Sequence, residues 1–183
     1  MLKDKNIVIG ITGGIASYKI CGLITHLVNE GARVKVIMTK NATDFINPLT
    51  FEVLSKNKVA VDMFVEENCN YIGHIEYGQH ADIIVIAPAT ANIIGKISSG
   101  IADDMLSSTI VASTKPVLFV PAMNEYMYLN RIVQNNIEKL KSYGYLFLKP
   151  EVGTLACGTS GIGKLPNTKI IFDKIKEILS KES

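Results

Sequence analysis

The chain has 183 residues, 48% hydrophobic and 20% charged, with no Trp and a net charge of +2. That length makes one ordinary domain able to bury a core, and the mixed charge excludes a disordered tail. Its lysines are scattered instead of striped, which argues against nucleic acid, and no apolar run approaches the roughly 20 residues that cross a bilayer.

In chain order, Met1 to Asn6 holds neither a long apolar h-region nor a cleavage site, so a soluble, cytoplasmic protein is expected. Asn6 to Thr12 is a β-branched run that reads as a buried strand, turned by Gly13-Gly14. Ile20, Leu23, Ile24, Leu27 and Val28 stand at helical spacing within a helix predicted from Ile15 to Glu30 and stopped by Gly31. A second strand follows at Val34 to Met38. A short helix is predicted near Ala42 to Ile46 and another after Pro48, whose fixed φ suits a first turn.

Asp82 to Ala87 is the third strand, closed by Pro88, and helices are predicted from Asn92 to Ser99 and from Ala102 to Ser113. Val117 to Val120 is the fourth strand, closed by Pro121, followed by a helix from Leu129 to Tyr143. Tyr145 to Leu148 reads as a fifth strand, and Lys169 to Leu179 as the last helix with Thr168 as its N-cap. Alternating short strands and helices predict an α/β fold: a single doubly wound, flavodoxin/Rossmann-like three-layer domain over residues 1–183 with a mainly parallel sheet. Asn68 to Gly73 and Glu151 to Pro166 are too rich in small and polar residues to be plain connectors, and both are functional candidates. Cys21, Cys69 and Cys157 include no C-x-x-C pair, so neither a disulfide framework nor a zinc site is expected.

Ligands of such sheets bind beyond the carboxyl ends of the strands. At the first, Thr12-Gly13-Gly14-Ile15-Ala16-Ser17 leads into a helix N-terminus, where unpaired N–H groups suit a phosphate. Taken alone it is equally a tight turn that needs glycine. At the second, Ile37-Met38-Thr39-Lys40 lacks the carboxylate that would hold a dinucleotide ribose, which disfavours NAD. Lys40 leaves room for a 2′-phosphate, but FMN fits better, with Thr39 as a further hydroxyl donor. At the third and fourth, Ala87-Pro88-Ala89-Thr90-Ala91-Asn92 and Pro121-Ala122-Met123-Asn124 face the same crevice; each alone is also an ordinary strand-to-helix loop with Asn as a cap.

Together with His74-Ile75-Glu76 ahead of Ala81-Asp82, with Met127 and with Ala156-Cys157-Gly158, these motifs resemble the flavin-containing cysteine decarboxylases, most closely the branch acting on phosphopantothenoylcysteine in coenzyme A biosynthesis. The resemblance spans nearly the whole chain. Two motifs depart from it, at three positions: Tyr128 stands where the family often has Trp, and the flavin loop has Thr90 for Ser and Ile93 for Thr, the latter removing one flavin contact.

The resemblance implies an FMN-dependent decarboxylase. An acyl-cysteine has no electron sink at its α-carbon until the thiol is oxidised to a thioaldehyde, after which carbon dioxide leaves to give an ene-thiol that is reduced again. It implies catalytic roles for His74, which orients substrate and assists proton removal, for Asn124, which binds the substrate carboxylate, and for Cys157, which donates a proton in the final reduction. A neutral amide suits the departing carboxylate, because a cation would hold it in its charged form. FMN contacts fall on Gly13, Gly14, Ile15, Ala16, Thr39, Thr90, Ala91, Asn92, Ser107 and Ala122, and substrate contacts on Asn124, Met123, Ala156 and Lys164. The glycine-rich stretch around 151–166 is expected to be a mobile substrate flap. Asp103 and Asp104 read as acidic residues at a helix start. The family assembles as homotrimers or multiples of trimers, up to a homododecamer, with FMN at a subunit boundary and His74 reaching a neighbour's flavin; no metal, nucleic acid or membrane is implied.

Two other readings share these motifs: a peptidyl-cysteine decarboxylase of antimicrobial peptide maturation, and a non-catalytic FMN-binding regulatory subunit. Bacterial decarboxylases of this kind are often fused to a C-terminal synthetase, and the sequence leaves both arrangements open.

Overall fold

The computed structural model describes residues 2–63, 73–154, 158 and 160–181. Six parallel strands form the central sheet: β1 (Asn6–Ile11), β2 (Arg33–Met38), β3 (Val59–Ala60), β4 (Ile83–Ala89), β5 (Val117–Pro121) and β6 (Leu146–Phe147), in the order β3-β2-β1-β4-β5-β6. The order reverses between β1 and β4, so a crevice opens beyond their carboxyl ends.

Alternation along each strand sends successive side chains to opposite faces. On one face Ile7, Ile9, Ile11, Val34, Val36, Ile83, Val85 and Leu118 pack against α1 (Ile20–Asn29), α2 (Pro48–Ser55) and the C-terminal helix, Thr168–Lys181. On the other, Val8, Ile37, Ile84, Ile86 and Phe119 meet α4 (Ala91–Ser98), α5 (Met105–Val111) and α7 (Arg131–Ser142). The β-branched runs are buried on both sides, as a doubly covered sheet requires. Among the described residues, no helix is long and apolar enough to cross a membrane.

Several boundaries differ from expectation for local reasons. The helix predicted from Ile15 begins as a 3-10 turn, Ile15–Lys19, before α1. The short helix near Ala42 is a 3-10 turn over Lys40–Ala42. β4 and β5 run through Pro88 and Pro121 instead of stopping before them, and the Ala87–Pro88 peptide is cis. Helix α3 (Gly73–His80) and α6 (Glu125–Leu129) were not anticipated. Asn167, not Thr168, caps α8 (Thr168–Lys181): its Oδ1 accepts from Lys169 N–H at 2.9 Å. The stretch 151–166, expected to lack regular structure, contains an antiparallel pair, β7 (Glu151–Thr154) and β8 (Ser160–Lys164).

The acidic start before α5 is a capping box. Asp104 Oδ1 accepts from Ser107 N–H at 2.8 Å, and the Ser107 hydroxyl accepts from Asp104 N–H at 3.1 Å. Lys96 Nζ joins from α4, 2.8 Å from the Asp104 carboxylate and 2.6 Å from that of Asp103. Burial alone would raise the Asp104 carboxyl, but the hydrogen bonds from Lys96 and from the Ser107 N–H and hydroxyl outweigh it and hold it below its ordinary value. A carboxylate lowered in the folded state stabilises above its unfolded pKa, and that stability is lost as pH falls below about 4. Asp104→Ala is therefore expected to cost about 1–2 kcal/mol in urea unfolding at pH 7 and to flatten the acid limb of the stability profile.

Candidate active site

A cavity of about 510 Å³ lies beyond the carboxyl ends of β1, β4 and β5. Its floor is the Gly13-Gly14 turn with Ile15, Ala16, Tyr18 and Lys19 from the 3-10 turn, and Thr90 from the end of β4. Ala122, Met123, Asn124 and Met127 form one wall, and Thr154, Gly163, Lys164 and Leu165 the facing one. A larger cleft, about 720 Å³, opens at the amino ends of β5 and β6 between Lys115, Tyr143, Tyr145 and α8. It gathers none of the strand-end motifs, so size does not identify the site here.

The floor is tied together through Thr12. Its buried hydroxyl donates to the Pro88 carbonyl at 2.6 Å and accepts from Thr90 N–H at 3.1 Å, joining the ends of β1 and β4. Ser17, fully buried, donates from its hydroxyl to the Gly14 carbonyl at 2.6 Å and closes the turn from below. The first-turn N–H groups of a helix have no partner within it, and here the cavity lies against that turn. Among the described residues the lining carries two lysines, Lys19 and Lys164, and no carboxylate, a balance that favours an anion.

The walls are joined by main chain. Ala122 N–H donates to the Ala89 carbonyl at 3.1 Å, and Met123 N–H to the Gly163 carbonyl at 3.0 Å, so the ladder of β4 and β5 continues into the β7–β8 hairpin. Asn124 caps α6, its Oδ1 accepting from Tyr126 N–H at 2.9 Å. The same amide also carries N–H donors, which is the polarity a carboxylate ligand needs.

The structure thus brings Gly13, Gly14, Ile15, Ala16, Thr90, Ala122, Met123, Asn124 and Lys164 to one cavity. It does not bring Thr39, Ala91, Asn92, Ser107 or His74 there. Thr39 extends the β1–β2 ladder through its N–H to the Ile11 carbonyl, and Asn41 packs against Gly13 in its place. Ala91 and Asn92 begin α4, with Asn92 exposed. The buried Ser107 hydroxyl is taken up in the capping box. Ala156, Cys157 and most of the Asn68–Gly73 loop lie outside the described residues.

His74 is half-buried on the first turn of α3. The other motif residues near it anchor the helix and sheet: Glu76 bonds Lys35 Nζ on β2 at 2.8 Å, and Asp82 accepts from Asn6 N–H at 2.7 Å at the base of β1. Lys35 also stands 4.7 Å from the Tyr77 ring centre. Tyr18, Lys19, Thr154 and Leu165 were missed as site residues. For Tyr18 and Lys19 a signal existed, since they sit three and four residues beyond Ile15 on a turn expected to face phosphate.

Comparison with known proteins bears on the family and the fold. A family model described as Flavoprotein matches residues 1–180. The coenzyme A biosynthesis bifunctional protein CoaBC of Bacillus subtilis (strain 168) is 46% identical over 183 residues, which is 100% of this chain and 45% of that protein. The chain thus spans a little under half the length of the curated relative it matches. A PPC decarboxylase mutant solved with pantothenoylaminoethenethiol superposes with a TM-score of 0.84 at 28% identity, covering 99% of this chain and 100% of that one. The FMN binding protein AtHal3 gives a TM-score of 0.86 at 28% identity, with the same coverage.

Proposed function

The chain belongs to the flavoprotein family, and on that premise we propose that it is an FMN-dependent decarboxylase that converts 4′-phosphopantothenoylcysteine to 4′-phosphopantetheine in coenzyme A biosynthesis. The observation that carries the reading is convergence: motifs from three strand ends and the hairpin line one cavity whose described residues include two lysines, no carboxylate and an amide anchored as a helix cap.

The residues present fit FMN. The cavity is within the usual range of about 300–1,000 Å³ for small-molecule sites. Ile15, Ala16, Thr90 and Ala122 offer the flat, small-residue surface that a ring system needs, and Gly13 to Ala16 with Lys19 suit its phosphate. When bound, FMN supplies a two-electron acceptor for the substrate thiol carbon and returns the electrons after carbon dioxide has left. The protein's work is positioning. Asn124 aligns the substrate carboxylate through its N–H donors, Met123 lines the acyl chain, and Lys164 on the hairpin faces the anionic substrate.

Cys157 and Ala156 belong to the same reading, as a proton donor and its neighbour on a substrate flap between β7 and β8. His74 does not line the cavity of its own chain, which supports a site shared between subunits of a trimer or multiple of trimers. Exposed Ile15, Tyr18, Phe45, Leu49 and Val53 supply apolar surface for such contacts. The protein would then be a cytoplasmic homo-oligomer.

The test is to load the protein with FMN and supply phosphopantothenoylcysteine while recording carbon dioxide and product mass. Release of carbon dioxide with formation of phosphopantetheine is the expected result. A Cys-terminated peptide turned over instead would assign peptide maturation, and FMN binding without turnover of either substrate would leave a regulatory flavoprotein.

A further inference from the structure

Asn124 and the hairpin must be held in fixed relation if one orients a carboxylate and the other delivers Lys164. Hydrogen bonds join β8 to the 123–125 segment. One is the main-chain bond from Met123 N–H to the Gly163 carbonyl. Another uses a side chain: Glu125 Oε1 accepts from Ile162 N–H at 3.2 Å. The same carboxylate lies flush against Gly161, so close that a Cβ built there would overlap it. Gly161 is buried and Glu125 half-buried. Glu125 is the first residue of α6, where a negative charge is favoured by the helix dipole, yet it does not line the cavity.

We propose that Glu125 is a positioning residue: by accepting from Ile162 and filling the space over Gly161, it fixes where the β7–β8 hairpin sits against the Asn124 loop, and so sets substrate affinity through Thr154 and Lys164. It touches neither substrate nor cofactor. The kinetic consequence rests on the decarboxylase reading above; the mechanical one does not. A hydrogen bond to a charged acceptor that leaves its donor unpaired when removed is large enough to shift a docking equilibrium by about tenfold or more. A misplaced wall residue then weakens substrate binding more than it slows a step at the flavin.

The experiment uses FMN-loaded protein and two readouts. In Glu125→Ala, hydrogen exchange at the Ile162 amide is expected to accelerate by about tenfold, while the amides of α7 keep their wild-type rates. KM for phosphopantothenoylcysteine should rise by about tenfold with kcat changed less than about threefold, and FMN retention should be unaltered. Glu125→Gln keeps a carbonyl acceptor and should recover most of the wild-type exchange rate and KM. Gly161→Ala tests the same seat from the other side and should reproduce the alanine phenotype. Unchanged Ile162 exchange in Glu125→Ala would overturn the proposal, and so would faster exchange with wild-type KM. If the wild-type holoenzyme does not turn over phosphopantothenoylcysteine at all, the decarboxylase reading falls, while the exchange result still decides whether Glu125 holds the hairpin.

Discussion

If the proposed decarboxylase reading holds, Asn124→Asp is expected to lower kcat/KM by about a thousandfold while leaving the fold intact, because it separates the cap that Asn124 makes from the carboxylate binding proposed for it. The first is capping. Asn124 Oδ1 accepts from Tyr126 N–H at the start of α6, and Asp caps helices as well as Asn does. The melting temperature should therefore stay within about 2 °C of wild type. The second, proposed task is recognition, and there the exchange removes both N–H donors and would place a negative charge beside the substrate carboxylate. Losing one donor aimed at a charged reacting group costs about 100- to 1,000-fold, and like-charge repulsion adds to it. Steady-state kinetics beside thermal unfolding read both tasks in one preparation. Near-normal kcat/KM in this variant would remove Asn124 from carboxylate binding. Asn124→Ala would lose cap and ligand together, and so could not tell them apart.

Gly163→Ala is the other substitution from which a large effect is expected. Gly163 has φ of 138°, a conformation that side-chain-bearing residues rarely adopt, and a Cβ there would overlap the Met123 carbonyl oxygen. That oxygen cannot simply retreat, because Met123 is bonded through its own N–H to the Gly163 carbonyl. The hairpin must leave its seat, taking Thr154 and Lys164 from the cavity wall. The expected cost is about 2–3 kcal/mol, or roughly 5–10 °C in melting temperature, with a loss of about a hundredfold in kcat/KM. Gly22→Ala is the control: Gly22 lies exposed within α1 with nothing within 4 Å of the new methyl, so helix propensity should raise stability slightly. Wild-type kinetics for Gly163→Ala would show that the hairpin contributes nothing to the site.

The long apolar strands were legible in the sequence because burial on both faces leaves an unbroken β-branched signature, as in Ile83 to Ala87. β3 escaped notice because two residues carry no period. Helix α3 was hidden for another reason: Gly73-His74-Ile75-Glu76-Tyr77-Gly78-Gln79-His80 has two glycines and no apolar stripe, and it is held by tertiary contacts from Lys35 and α5. The hairpin looks like an irregular loop in the sequence because glycine has low strand propensity, and the reason for its glycines, close approach to residues 123–125, is visible only in three dimensions. Within the site, the strand-end motifs were legible as chemistry: Gly13 to Ala16, Thr90 and Ala122 to Asn124 do meet. Ser107 shows the limit of that approach, since a buried hydroxyl near a ligand motif and one inside a capping box look alike in a sequence.

The seam between sheet and hairpin has a consequence for how such a site can diversify. The bond from Met123 to Gly163 uses only backbone atoms, so any residue except proline, which lacks the N–H, can make it from position 123. Substitutions there can reshape the pocket without unfastening the wall opposite. Selectivity and scaffold are separately tunable in this fold, and a library randomised at 123 with 161 and 163 kept as glycine would sample new substrates on an unchanged frame.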